Sequence, residues 1–132
     1  MKTIHPAKTV HYLYITDESG IGDVFPAIKQ NLVGYPSTHV SLIYASGTSA
    51  HVFAPELHIL SRHFPTQFIP ALVYDPENRF DHQATIETML NANTRDQLKI
   101  SVAGMPEFVS VVRDQLLFLG IKKETIHLHF LR

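Results

Sequence analysis

Short apolar, β-branched runs alternate with segments of helical period along the chain, and this alternation limits the possible fold more than any other feature. Strands separated by helices cannot be joined by tight hairpins, so they lie parallel, with the helices packed over the faces of the sheet. The first run, VHYLYI at 10–15, ends at an acidic, glycine-bearing loop, TDESGIGD at 16–23. Val24, Ile28 and Leu32 then recur at helical spacing until Gly34 and Pro36 stop the segment. HVSLIY at 39–44 predicts a second strand, followed by the loop ASGTSA at 45–50. Pro55 opens a helix with Leu57, Leu60 and Phe64 on its apolar face, and Pro65 ends it. QFIPALVY at 67–74 predicts a third strand, in which Pro70 points to a bulge or a sheet edge. After a turn-rich stretch at 75–81, Ile86, Met89 and Leu90 mark a short helix. LKISVA at 98–103 predicts the fourth strand. Phe108, Val111, Val112, Gln115, Leu116 and Leu119 then define a strongly amphipathic helix that Gly120 closes. TIHLHFL at 125–131 predicts the fifth strand. The expectation is one α/β domain over 1–132, a doubly wound, mostly parallel five-stranded sheet with helices on both faces.

Composition narrows the function. A chain of 132 residues, 45% hydrophobic and 17% charged, buries a real core without disulfides or metals. Eleven basic residues against twelve acidic ones create no global field for a phosphate backbone or an anionic membrane, so any anion site must be built locally. Neither nucleic acid nor a membrane is an expected partner. The absence of cysteine removes disulfides, thiol catalysis and thiolate metal sites together. The first ten residues, MKTIHPAKTV, lack the apolar stretch of a secretory signal, and no segment approaches the roughly 20 apolar residues of a membrane span, which sets a cytoplasmic location as the expectation.

In doubly wound sheets, ligands bind outside the carboxyl ends of the strands, where helix N-termini present free amide donors. Two loops qualify. In the first, Thr16, Ser19, Gly20, Ile21 and Gly22 follow the first strand, with a G-x-G spacing that lacks the later glycine of the dinucleotide fingerprint. In the second, Ala103 to Glu107 (AGMPE), Ala103, Gly104, Met105 and Pro106 follow the fourth strand directly, and Gly104 would let a flat ring lie against the backbone.

These loops carry a family resemblance. LYITDESGIGDVFPAI resembles the segment of ferredoxin reductases that runs apolar strand, G-G-[ST]-G-I-[TA]-P, helix. ISVAGMPEFVSVVRDQLLFLGIKKETIHLHF is similar to the family's closing pattern of apolar strand, C-G-P-P-x-M, helix, L-G and I-H-x-E-x-F, with Gly104, Pro106, Leu119, Gly120, Ile126, His127 and Phe130 in register. The chain also resembles the C-terminal domain of siderophore-interacting proteins, whose D-E-[ST]-x-x-P-A-I is echoed by Asp17, Glu18, Ser19, Pro26, Ala27 and Ile28 with extra residues between. That group often ends in aromatic, aromatic, Arg, and this chain ends in Phe130, Leu131 and Arg132. The resemblance implies a module that holds NADH or NADPH, diphosphate over Ser19 to Gly22 and nicotinamide near Gly104, and passes hydride to a flavin. The flavin barrel and its R-x-Y-[ST] motif are not in the sequence, so FAD would come from a partner subunit or domain, and a homodimer is a further expectation.

The departures from the family pattern define a competing reading, a non-catalytic binding or interaction domain that kept the fold and lost the ligand. Asp17 and Glu18 replace the family's two leading glycines, and Asp23 takes the place of its proline. A carboxylate about 5 Å from a phosphate charge is worth roughly 3 kcal/mol of repulsion at an effective dielectric near 20. The same three acids also suit the positive end of a helix dipole. Ala103 replaces the family cysteine, and ASGTSA lacks the arginine that grips the 2′-phosphate of NADP, which favours NADH. Gly20 and Gly22 serve either a phosphate cradle or simply a tight turn. Phe130 is either a core aromatic or a platform for a partner's flavin. Among the nine histidines, His58 and His63 diverge on a helix, and His127 and His129 share a strand face without nearby carboxylates, so no metal site is expected. No catalytic residue is assigned, and Ser19 lacks the surroundings of a nucleophile.

Overall fold

In the computed structural model, which describes residues 9–34, 38–77, 79–81, 83–93 and 97–130, strands and helices alternate as the sequence predicts. The strands are β1 (Val10–Thr16), β2 (His39–Ser46), β3 (Phe68–Tyr74), β4 (Gln97–Gly104) and β5 (Ile126–Phe130). The helices are α1 (Ile21–Gly34), α2 (Ala54–His63), α3 (Gln83–Asn91) and α4 (Pro106–Phe118), with a 3-10 turn at Lys123–Thr125. All four strand pairings are parallel, in the order β3-β2-β1-β4-β5. The chain winds outward from β1 to β3, returns across the sheet through α3, and winds outward again from β4. Its direction therefore reverses between β1 and β4, the place where such sheets open a crevice.

Side-chain alternation builds the layers. Tyr14 on β1 and Val40, Leu42 and Tyr44 on β2 pack with Ile21, Val24, Ile28 and Leu32 of α1 and Leu57 and Leu60 of α2. Their neighbours Leu13, Ile15, Ile43 and Ala45 face the other way, against Ile86 and Met89 of α3 and Val109, Val112 and Leu116 of α4. Each central strand is thus apolar on both faces, which a parallel sheet covered on both sides requires. Burying each of these large side chains contributes about 1.5–3 kcal/mol.

Several expectations shift by a few residues. Helix α1 begins at Ile21, so Gly22 and Asp23 belong to its first turn rather than to the loop, and Pro26 lies inside it. Pro36 falls outside the described residues. Helix α2 starts one residue before Pro55 and ends at His63, and Phe64, its C-cap, still packs against the same core as Leu57 and Leu60. Pro70 stays in register opposite Leu42 on β3, which is an edge strand. An edge can absorb the missing amide donor without a bulge. At the end of α4, Gly120 donates to the Leu117 carbonyl and Ile121 to that of Leu116, with Gly120 at φ +89°. This paired closure is the reason glycine follows the helix.

Candidate functional site

The carboxyl ends of β1 and β4 lie side by side, with Thr16 paired to Ala103. The turns that follow lead into α1 and α4, so the turn before α1 and the first residues of α4 border one crevice. That crevice is a cavity of about 580 Å³, bordered by Asp17, Glu18 and Ser19, by Ala45, Ser46 and Gly47 at the end of β2, by Asp75 beyond β3, and by residues 105–108 at the start of α4. Its size suits a small ligand.

The carboxylate of Asp17 accepts from three amides beside the crevice. Its Oδ1 accepts from the Ser19 amide at 3.0 Å, the Gly20 amide at 3.0 Å and the Ser19 hydroxyl at 2.6 Å. Its Oδ2 accepts from the Met105 amide at 3.0 Å, a residue 88 positions away. The Asp17 amide itself donates to the Ala103 carbonyl at 3.4 Å. One aspartate therefore ties the β1–α1 turn to the β4–α4 turn through charge-assisted bonds, the stronger kind. Glu18 does the same on the other side, accepting from the Ser46 hydroxyl at 2.9 Å and from the Gly47 amide.

Gly104 and Gly20 make this arrangement possible. A Cβ on Gly104 would lie 2.6 Å from the Asp17 carboxyl group, and its φ of +154° is one that side chains rarely adopt. A Cβ on Gly20 would strike Thr16 Oγ1 and lie 2.6 Å from the Ala103 carbonyl oxygen. Gly20 therefore lets the first turn pack against the end of β4, whether or not a ligand is near.

The crevice is electronegative. Among the described residues that border it, Asp17, Glu18, Asp75 and Glu107 are acidic and none is basic. The field reaches β2, where burial first, and then Glu18 and Asp17, push the Tyr44 hydroxyl above its ordinary pKa. Asp75 is tied down locally, accepting from the amides of Arg79 at 3.2 Å and Phe80 at 2.7 Å.

The residues singled out in the sequence divide into three sets. Ser19, Met105 and Pro106 border the crevice. Thr16, Gly20, Ala103 and Gly104 are buried at the junction of β1 and β4 beside it. Ile21 and Gly22 do not border it: Ile21 is a core residue of α1, and Gly22 is exposed in the helix with nothing within 4 Å of the Cβ it lacks. Glu107 of the second candidate loop also borders the crevice, as do Ser46 and Gly47 of the loop ASGTSA, whereas sequence reasoning missed Asp75 and Phe108 as neighbours of the site. It also read Asp17 as a helix-end charge without its reach to Met105. A sequence signal for the second half of the crevice existed, since any strand end beside the switch point contributes a loop to it. The Phe130 side chain, Leu131 and Arg132 fall outside the described residues. His58, His63, His127 and His129 are exposed, and no group of three metal-ligating side chains occurs among the described residues.

No protein-family profile and no curated protein matches the sequence. The fold does recur in solved structures. The CS-b5R domains of human Ncb5or in its NAD+ form overlay with a TM-score of 0.77 at 16% identity, covering 91% of this chain and 36% of that one. A flavohemoglobin from Malassezia yamatoensis with bound FAD and heme gives 0.74 at 16%, over 92% of this chain and 32% of that one. Ferredoxin-NADP+ reductase from Plasmodium falciparum gives 0.73 at 12%, over 92% and 52%. This chain therefore has the fold of the nicotinamide-nucleotide domain of ferredoxin-reductase-type flavoenzymes, and it spans about a third to a half of the length of those proteins.

A diphosphate laid over Ser19 to Gly22 would have to displace the Asp17 carboxylate from the amides of Ser19, Gly20 and Met105. It would also enter a crevice bordered by four carboxylates and no described cation.

Proposed function

We propose that this chain is a non-catalytic ligand-binding or protein-interaction domain that keeps the ferredoxin-reductase nucleotide fold and has lost dinucleotide binding. The observation that carries the proposal is the seating of the Asp17 carboxylate on the amides of Ser19, Gly20 and Met105. Titration of the purified protein with NADH, NADPH and FAD, followed by fluorescence and calorimetry, tests it. The expected result is no saturation up to millimolar concentration with any of the three. Saturable NADH or NADPH binding in the micromolar range would overturn the reading.

A second reading is the hydride-passing one, in which the domain holds NADH or NADPH and works with a flavin on a partner subunit or domain. Two observations favour it: the crevice sits at the switch point of the sheet, and the solved proteins of this fold include one described with NAD+ and one with FAD. A partner in this reading would complete the site. Co-purification with a flavin-containing protein, together with NADH-dependent reduction of its flavin only when both are present, would select it over the first.

A further inference from the structure

The two edges of the sheet differ in how they meet solvent. β5 is short, carries the exposed His127 and His129, and follows Lys122, Lys123 and Glu124. Brevity and charge of this kind keep an edge from pairing with another chain. β3 runs over seven residues, FIPALVY, without a charge. On it Ile69, Leu72 and Tyr74 are 44%, 43% and 58% exposed. The loop before α2, tied to the strand by His51 Nε2 and the Val73 carbonyl at 3.0 Å, adds the exposed Val52.

The outer side of β3 also leaves backbone groups open. The Val40 amide donates to the Gln67 carbonyl and the Asp75 amide to the Ser46 carbonyl, both at 2.7 Å. With the parallel register between, Ile69, Ala71 and Val73 turn their amides and carbonyls towards β2. Pro70, Leu72 and Tyr74 alternate with them and turn theirs outward, where no strand lies among the described residues. Pro70 brings a carbonyl but no amide, so one donor is missing while those of Leu72 and Tyr74 remain. Another extended strand is the occupant that pairs such a row in register.

We propose that β3 pairs antiparallel with β3 of a second copy of this chain, joining two sheets into one across a two-fold axis at Leu72. There the two Leu72 residues exchange amide-to-carbonyl bonds, and each Tyr74 amide donates to Pro70 of the partner subunit through that proline's carbonyl. Charge selects the chain itself as the occupant. The strand brings no charge to the axis, and antiparallel pairing sets unlike ends together. Arg62 and His63, exposed in the last turn of α2 just before β3, come towards the end of the partner strand that leads into its own acidic turn, the counterpart of Asp75 and Glu77. Leu72 and Tyr74 share the strand face of Phe68, which packs on Leu57 and Leu60, so the pairing also covers their exposed side chains beside α2. The contact is isologous and closes after two copies. The crevice opens at the ends of β1 and β4, inside this edge, so the pairing holds under either reading of what the crevice binds.

The test is sedimentation velocity of the full chain from micromolar to millimolar concentration, with amide hydrogen exchange at both ends of the range. The expected result is a monomer–dimer equilibrium in which the Leu72 and Tyr74 amides exchange at least about tenfold more slowly in the concentrated sample, with those of β5 unchanged. Leu72→Lys sets like charges across the axis and should weaken dimerisation at least about tenfold, whereas Phe118→Lys, at an exposed aromatic on α4, should leave it unchanged. A chain that stays monomeric over the whole range, or species larger than a dimer, would overturn the proposal. So would a dimer indifferent to Leu72→Lys, or one equally weakened by Phe118→Lys. Exchange at Leu72 and Tyr74 that ignores concentration overturns it too, and because that measurement uses the natural chain it decides the matter even if Leu72→Lys fails to fold.

Discussion

The contrast between Gly20 and Gly22 offers a sharp test of how the first turn works, because a phosphate cradle would need both glycines and the packing described here needs one. In Gly20→Ala the new Cβ meets Thr16 Oγ1 and the Ala103 carbonyl, at 2.6 Å from its oxygen and 2.7 Å from its carbon. Neither carbonyl atom can swing aside, since Ala103 is held in β4 between β1 and β5. Relief must come from shifting the turn against the sheet, an overpacking cost of about 2–3 kcal/mol. In Gly22→Ala the new methyl meets nothing within 4 Å and sits in the first turn of α1, where replacing glycine gains about 0.5 kcal/mol. Urea unfolding should therefore separate the two variants by about 3 kcal/mol with unchanged slopes, or by roughly 10 °C in melting temperature for a domain of this size. Comparable losses in both variants, or a harmless Gly20→Ala, would refute the packing argument and return both glycines to a ligand-binding role.

Other perturbations probe the rest of the molecule. His11 is fully buried, with Nε2 2.8 Å from the Ser41 hydroxyl and Nδ1 3.3 Å from Asn93 Oδ1. His11→Ala should cost about 3 kcal/mol through the cavity and the lost hydrogen bonds to Ser41 and Asn93, against less than about 0.5 kcal/mol for His58→Ala or His63→Ala on the exposed side of α2. Equal urea midpoints for the three would contradict this. Burial first, and then the neighbouring Tyr12, push the pKa of Tyr14 up to about 12, although its oxygen accepts from Asn31 Nδ2 at 2.6 Å. A pKa raised on folding means that the native state holds its proton longer than the unfolded chain does. The stabilisation is thus complete below the unfolded value near 10 and disappears as pH rises through about 12. Unfolding midpoints should fall over that window by an amount worth about 1–2 kcal/mol, and Tyr14→Phe should flatten the fall. An unchanged slope in Tyr14→Phe would assign the alkaline loss to another group.

Much of the fold was legible because local periodicity reports on it directly. Residues two apart share a strand face and residues three or four apart share a helix face, so the layers to which Leu13 and Tyr14, or Ile43 and Tyr44, belong follow from their order. The same logic found the two loops at the ends of β1 and β4 before their meeting could be seen. Helix boundaries were less legible. Gly22 reads as a loop residue by type, and it is helical because the hydrogen bonds of α1 begin one residue earlier.

By itself the sequence determined the alternation of strands and helices, the two-sided burial of the central strands, and the acidic character of the first turn. Only the tertiary structure decided which loops share the crevice and what the acids do there. Strand order places Ala103 beside Thr16, and so the Met105 amide within reach of Asp17, although 88 positions separate them in the chain. Spacing along a chain carries no record of such a meeting, because the contact arises from the way the sheet is wound. Asp17 therefore reads in sequence as one more helix-end charge, and in space as the anion that fills the site.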